Sequence, residues 1–438
     1  MQQTPQALRL HIGIFGRMNV GKSSLLNHIS GQSTAIVSET LGTTSDAVRK
    51  NMELAGLGPV SFIDTAGFDD TSSLQKMRLV KMEQVFSETD IALLVLEPNI
   101  WTEKEETFLQ KCQHAQLPII AIINKIDVAK PSHSWLKEIQ EKISQTLSYS
   151  CGFLENTHEL AFSKRSFFIE SLIQSIKALL PESFFSEPIL FQDLLPPQKE
   201  ASLIIFVTPI DASAPKGRLI MPQVQSLREG LDSQAISLLV KEGQYEKALK
   251  ALQCKPDLVI ADSQVASAIS RITDASIAFT TFSILFSRLK GDIKIFAQGA
   301  ANILSLKDGD KILIAEACTH HAQDDDIGSH QIPEGLRRFT AKHLDIHHFS
   351  GKDYPKDLES YALIIHCGAC TLNRRLMLDR MQTAHLAQVP ITNYGMVLSL
   401  FQGSLERCLS PFPEALSAFK AFSHLENSDR DGDKGPML

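Results

Sequence analysis

The feature that most limits what this chain can fold into is the octapeptide Gly16-Arg-Met-Asn-Val-Gly-Lys22-Ser23. It stands between an apolar, β-branched run at residues 11–15 and a helical pattern that begins near Ser24. A glycine-rich turn from strand to helix leaves bare backbone N–H groups at Gly16 and Gly21 to close on phosphate oxygens, and the helix adds the positive end of its dipole. Lys22 then reaches the β and γ oxygens and the Ser23 hydroxyl a magnesium ion, with Val20 and Ser24 completing the loop. Loops of this kind sit at the carboxyl end of a parallel strand, so the surrounding domain is expected to be α/β.

The rest of the chain repeats that texture. Short β-branched runs at 11–15, 60–64, 91–96 and 119–124 alternate with helix-period stretches up to about residue 180. Residues 181–197, with four prolines, read as a linker. Strands are then expected at 203–207, 235–240 and 258–261, with helices over 219–231 and 245–252 between them. A last unit carries strands at 311–315, 344–349, 361–365 and 390–393, with helices over 285–306 and 373–388. The expected fold class is therefore α/β: three consecutive α/β domains, the first a P-loop domain with a mostly parallel sheet. Their boundaries are read as 1–180, a linker 181–200, a pairing domain 201–272, a metal-binding domain 273–425 and a flexible tail 426–438.

Composition narrows the function. With 43 basic against 50 acidic residues in 438, the net charge of −7 argues against a protein that coats nucleic acid. No apolar run is long enough to cross a bilayer, and the first residues lack a secretory pattern, so a cytoplasmic location without membrane contact is expected. Seven cysteines, an odd number, favour metal or thiol chemistry over a disulfide framework.

Two further motifs follow the phosphate loop in order. Asp64-Thr-Ala-Gly67 offers a carboxylate to magnesium and a glycine N–H to the γ-phosphate. Asn124-Lys125-Ile-Asp127 ends another strand, and Asp127 there accepts two hydrogen bonds from the guanine edge, a donor pair that adenine lacks. GTP and Mg2+ are the expected cofactors. With these three motifs, residues 8–180 resemble the TrmE/Era-like branch of the small GTPases. That resemblance gives Leu41-Gly-Thr-Thr44 the part of switch I, with Thr44 on magnesium and Thr43 as the other candidate, and it gives Asn19 a place in holding a potassium ion. Phe68 stands where many GTPases hold a glutamine that orients water, so slow, potassium-dependent hydrolysis is expected with Lys22, Thr44, Asp64 and Gly67 as the catalytic set. Ser163 is a candidate contact to the base.

Cys112, Cys151, Cys254 and Cys408 stand alone in apolar or mixed text and read as ordinary buried or half-buried thiols. Cys318-Thr-His320 and His366-Cys367-Gly-Ala-Cys370 differ, because each directly follows an expected strand. If those strands are parallel neighbours, the three thiols converge at one sheet edge. Three thiolates with an imidazole form a tetrahedral zinc set, toward which spacing leans, or three legs of an iron–sulfur cube. His320 and His366 are candidates either for a fourth ligand or for hydrogen bonds to the sulfurs.

The GTPase motifs followed by Cys-x-His and His-Cys-x-x-Cys resemble the HydF maturation GTPases of FeFe-hydrogenase. Val207-Thr-Pro-Ile-Asp211, Ala315-Glu-Ala-Cys-Thr-His-His321, Leu372-Asn-Arg-Arg375 and Ile391-Thr-Asn-Tyr-Gly395 carry the same likeness, which extends to about Gly403. It implies a 4Fe-4S cluster on Cys318, Cys367 and Cys370, and a GTP-dependent scaffold that assembles and delivers a diiron precursor. The implied partners are the immature hydrogenase and radical-SAM maturation enzymes, and a homodimer is expected through residues 207–271, without nucleic acid. The rival reading is a GTPase acting on tRNA or the ribosome with a zinc-stabilised C-terminal domain.

Overall fold

The computed structural model describes residues 8–31, 48–65, 67–68, 75–149, 158–180, 189–197, 201–209, 219–317, 327–351, 354–355, 357–369 and 372–431, with the backbone alone at 75–80, 158–164 and 423–431. They form two compact units, Met1–Glu187 and Pro188–Leu438.

In the first unit the strands are β1 (Leu10–Phe15), β2 (Val48–Leu54), β3 (Gly58–Asp64), β4 (Ile91–Leu96), β5 (Ile119–Ile123) and β6 (Gln145–Ser148), in the order β2-β3-β1-β4-β5-β6. All neighbouring pairs are parallel except β2 with β3. The period of two splits β4 between two cores: Ile91, Leu93 and Val95 face one side, Leu94 and Leu96 the other. Both faces are covered, which explains why the text of β4 is apolar without alternation. The sequence reading passed over β2 and β6, the two edge strands, whose mixed text faces water in part.

The second unit holds two four-stranded sheets over one continuous apolar core. One contains β7 (Leu203–Val207), β8 (Ile236–Val240), β9 (Leu258–Ala261) and β10 (Ala278–Thr281) in the order β10-β9-β7-β8. The other contains β11 (Lys311–Glu316), β12 (Asp345–Ser350), β13 (Leu363–His366) and β14 (Ile391–Asn393) in the order β12-β11-β13-β14. Every pair in both is parallel. The two orders are the same winding: the chain steps from the first strand to one side, then returns to the other.

Several boundaries differ from the sequence reading. The first of these sheets runs on past residue 272, because β10 pairs with β9. Leu190 and Phe191, inside the expected linker, are buried in the core. Their backbone N–H groups, with that of Gln192, donate to the Glu229 carboxylate. The continuous helix expected over 285–306 is broken into Phe282–Lys290 and Ile293–Ala301. Gly291 allows the break, since a Cβ there would meet the Met381 sulfur at 2.7 Å, and Asp292 caps the next helix by accepting from the Lys294 N–H at 2.8 Å. The last helix, Pro413–Asp431, passes residue 425 into the expected tail.

Candidate functional site

The phosphate loop leaves β1 at the point where the chain turns from one side of its sheet to the other, between β3 and β4. Ligands of open α/β sheets gather at that crevice. Gly16 has φ +147°, and a Cβ on it would lie 2.6 Å from the Val95 carbonyl oxygen, so no other residue fits. Asn19 takes the left-handed conformation that asparagine tolerates. The buried Lys22 ammonium donates to the carbonyls of Gly16 at 3.2 Å and Arg17 at 2.8 Å. Asn124, from the end of β5, donates to the Val20 carbonyl at 2.8 Å and so ties the guanine motif to the phosphate loop. Gly67 stands against the loop from the other side, where a Cβ would lie 2.4 Å from the Met18 nitrogen.

The Ser23 hydroxyl donates to Asp64 Oδ2 at 2.5 Å. Burial pushes the Asp64 carboxyl up, against the pull of that hydrogen bond and of the Lys22 charge. Its other oxygen, Oδ1, is buried with no hydrogen-bond partner among the described residues. A hydroxyl beside an orphaned carboxylate oxygen is a donor set suited to magnesium, so the residues fit the ion. Ser24 and Asp127 are exposed. Thr43 and Thr44 lie outside the described residues, as does the side chain of Ser163.

Phe68 donates its backbone N–H to the Gly16 carbonyl at 3.3 Å, while its ring packs on Phe108 with centroids 5.0 Å apart. The ring belongs to the apolar core. Sequence reading missed a polar brace beside it: Arg17 pairs with Glu105 at 2.7 Å and reaches Glu97 at 3.5 Å, and Glu97 also pairs with Lys125. Glu105 is buried as part of the capping box of the helix Glu103–His114, so Arg17 is held from below while its carbonyl holds Lys22. The one signal for Glu97 was its place just after β4, at the carboxyl edge.

In the last sheet β11 and β13 are parallel neighbours, with Ala315 opposite His366. They flank the reversal point of that sheet too, and Cys367 leaves β13 there. The Ala317 N–H donates to Cys367 Sγ at 3.2 Å, so the exit of β11 touches the thiol directly. Burial pushes this thiol up, while the Ala369 and Ala317 N–H groups and the Arg380 charge pull it down. Ala369 has φ +51°, a conformation that costs a Cβ-bearing residue about 1–2 kcal/mol.

His366 is completely buried, with Nδ1 2.8 Å from the Cys367 carbonyl oxygen and Nε2 2.5 Å from an Arg380 nitrogen. Because guanidinium only donates and a carbonyl only accepts, the ring is the neutral Nδ1–H form with both nitrogens engaged. Burial first, and the Arg380 charge second, hold its pKa down to about 3. Cys318, which follows Ala317 in sequence, lies outside the described residues with His320 and Cys370. Among the described residues no three His, Cys, Asp or Glu side chains form a metal-binding group. A thiol that receives backbone N–H groups at the exit of two parallel strands suits a metal-bound thiolate, and Cys367 is the one of the three expected ligands among the described residues. Of the other cysteines, each expected to be buried or half-buried, Cys112 and Cys408 are buried, Cys254 is exposed, and Cys151 lies outside the described residues.

Fold and site together define a P-loop GTPase domain followed by a two-sheet α/β unit with a sulfur site. Family models divide the chain the same way: a 50S ribosome-binding GTPase domain over residues 11–125, a hydrogen maturase F dimerization domain over 190–291 and a hydrogen maturase F tetramerization domain over 294–411. The last two together span half of the chain, which therefore belongs to the hydrogen maturase F (HydF) family. The GTPase part is 40% identical over 129 residues to the tRNA modification GTPase MnmE of Trichodesmium erythraeum, covering 29% of this chain and 27% of that protein. It is 32% identical over 153 residues to the GTPase Der of Wolinella succinogenes, covering 34% and 31%. The chain spans less than half the length of the curated relatives it matches. Among solved structures, the G domain of the T. maritima FeoB iron transporter aligns with 39% of this chain and 99% of its own, at 20% identity and a TM-score of 0.28. No helix among the described residues is long and apolar enough to cross a membrane.

Proposed function

We propose that this protein is a GTP-switched scaffold that holds a 4Fe-4S cluster and assembles and delivers a diiron precursor to an immature FeFe-hydrogenase, working with radical-SAM maturation enzymes in the cytoplasm. One observation carries the reading: the hydrogen bond from Ala317 to Cys367 Sγ, which joins the exits of β11 and β13, where Cys318 comes next in sequence and the segment Cys367-Gly-Ala-Cys370 begins. Cys318, Cys367 and Cys370 would hold the cluster. When bound it supplies a redox-active site with one iron open to an incoming ligand. The chain's own part is to orient the thiolates: His366 anchors the Cys367 carbonyl, and the backbone N–H groups of Ala317 and Ala369 face the sulfur.

On the nucleotide side, Ser23, Thr44 and Asp64 hold magnesium, Lys22 and the N–H groups of the loop hold the phosphates, and Asn124, Lys125 and Asp127 take guanine. Asn19 helps hold a potassium ion, whose charge takes over part of the work that Phe68 cannot do. The sheet β7–β10, within residues 190–291, pairs two chains, and the sheet β11–β14 carries the cluster. Pairing is supported by β8, an edge strand with Ile236 59% and Leu239 38% exposed, since an apolar edge with free backbone groups is a template for another strand.

The test is transfer. Protein loaded anaerobically with iron, sulfide and the precursor should activate a hydrogenase that lacks its diiron site, and the Cys367→Ala protein should not. Activation by both, or by neither, contradicts the reading.

A further inference from the structure

Arg380 lies on the helix Arg374–Leu386 and is 2% exposed. One guanidinium nitrogen is 2.5 Å from His366 Nε2, and the other donates to the Gly351 carbonyl at 2.7 Å. The Tyr354 ring lies 4.7 Å from the guanidinium carbon, and its hydroxyl is buried with no hydrogen-bond partner among the described residues. These contacts fix the charge at one place. Gly351 follows β12 and its N–H donates to the Glu316 carbonyl at 2.8 Å, so β11, β12, β13 and the helix all close on this side chain.

Through His366 the guanidinium fixes the Cys367 carbonyl, and its charge acts on the Cys367 sulfur. Among the described residues, the other charges acting at this corner include Glu316, which receives the Tyr394 hydroxyl at 2.9 Å and opposes Arg380 at the thiol, and Asp379, an exposed residue that feels both Arg375 and Arg380. A guanidinium stays protonated at any working pH and is fixed here in a low-dielectric interior.

We propose that Arg380 is a positioning residue and buried counter-charge for the sulfur site, raising the reduction potential of a cluster held by Cys318, Cys367 and Cys370. The inference rests on the cluster reading above. Reduction adds one electron to the site, and a nearby fixed positive charge favours the more negative, reduced form.

The experiment uses the full chain, reconstituted anaerobically with ferrous iron and sulfide, counted for both, and titrated with dithionite while the paramagnetic signal of the reduced cluster is followed. Arg380→Met and Arg380→Gln should keep their iron, yet at the potential that half-reduces the wild type their reduced-to-oxidised ratio should fall at least tenfold. That change equals a shift of about 59 mV to more negative potential for a one-electron couple. Arg380→Lys keeps the charge and should stay within threefold of wild type. If Arg380→Met does not fold, Arg380→Gln, which can still donate to one acceptor, decides. Iron-replete neutral variants that titrate with the wild type overturn the proposal, and so does a lysine variant that falls as far as the neutral ones. A wild-type protein that takes up no iron overturns the cluster reading itself, and this inference with it.

Discussion

The Ser23 hydroxyl donates to Asp64 Oδ2 at 2.5 Å, and the partner oxygen Oδ1 is left buried and unpaired among the described residues. One side chain stands in the first turn of the helix Lys22–Ser30 and the other at the end of β3, 41 residues apart in sequence. Asp64→Asn removes the charge without changing shape, so magnesium-dependent GTP turnover should fall by about a hundredfold or more. A magnesium titration of turnover in both proteins checks it; a variant within threefold of wild type would place the ion elsewhere.

Asn19 occupies the left-handed position of the phosphate loop, and Phe68 is packed on Phe108. GTP turnover should therefore be several-fold faster in potassium chloride than in sodium chloride of equal ionic strength, and Asn19→Ala should lose the difference. Screening affects both salts alike. Equal rates in the wild type would dismiss potassium.

Much of this architecture was legible because buried parallel strands write themselves as apolar runs: β1, β4, β7 and β9 are buried along their whole length, and β5 everywhere but Ile119. What was not legible depends on partners distant in sequence. The edge strand β2 is defined by pairing with β3, and β10 by pairing with β9, neither of which an isolated window reveals. Leu190 and Phe191 sit among prolines that suggested a linker, yet Glu229 gathers their N–H groups. The Gly291-Asp292 pair was a readable stop and start that apolar periodicity overrode. At the sites, Lys22, Ser23, Asp64 and Cys367 announced themselves by motif. Arg17 with Glu105, and Arg380 with His366, did not, because a buried ion pair or charged hydrogen bond has no local pattern.

Ile236, at the exposed edge of β8, is the position where a charge should do most harm to pairing. Ile236→Lys should weaken self-association by about a hundredfold, roughly 2.7 kcal/mol, while circular dichroism and GTP binding stay as in wild type. Light scattering over a concentration series reads the change. An unchanged mass would move the interface away from β8.

Burial pushes the thiols of Cys112 and Cys408 from the ordinary 9.0 up to about 12. The native state keeps both protons across a range in which the unfolded chain releases them. The unfolded state therefore binds fewer protons between about pH 9 and pH 12, and stability falls as pH rises through that window. Each thiol contributes about 1.4 kcal/mol per pH unit there. Urea unfolding at pH 8, 9 and 10 should show a smaller loss for Cys112→Ala than for wild type, and equal losses would contradict the assignment.

The central claim is that Cys318, Cys367 and Cys370 hold an iron–sulfur cluster, and counting iron and sulfide in anaerobically purified protein tests it most directly. Wild type should be brown, with about four irons and four sulfides per chain, the composition of a cubane held by thiolates. Alanine at any one of the three should abolish that content, whereas Cys112→Ala, Cys254→Ala and Cys408→Ala should keep it. A colourless protein with one zinc per chain, or a Cys367→Ala protein with its iron intact, would contradict the account.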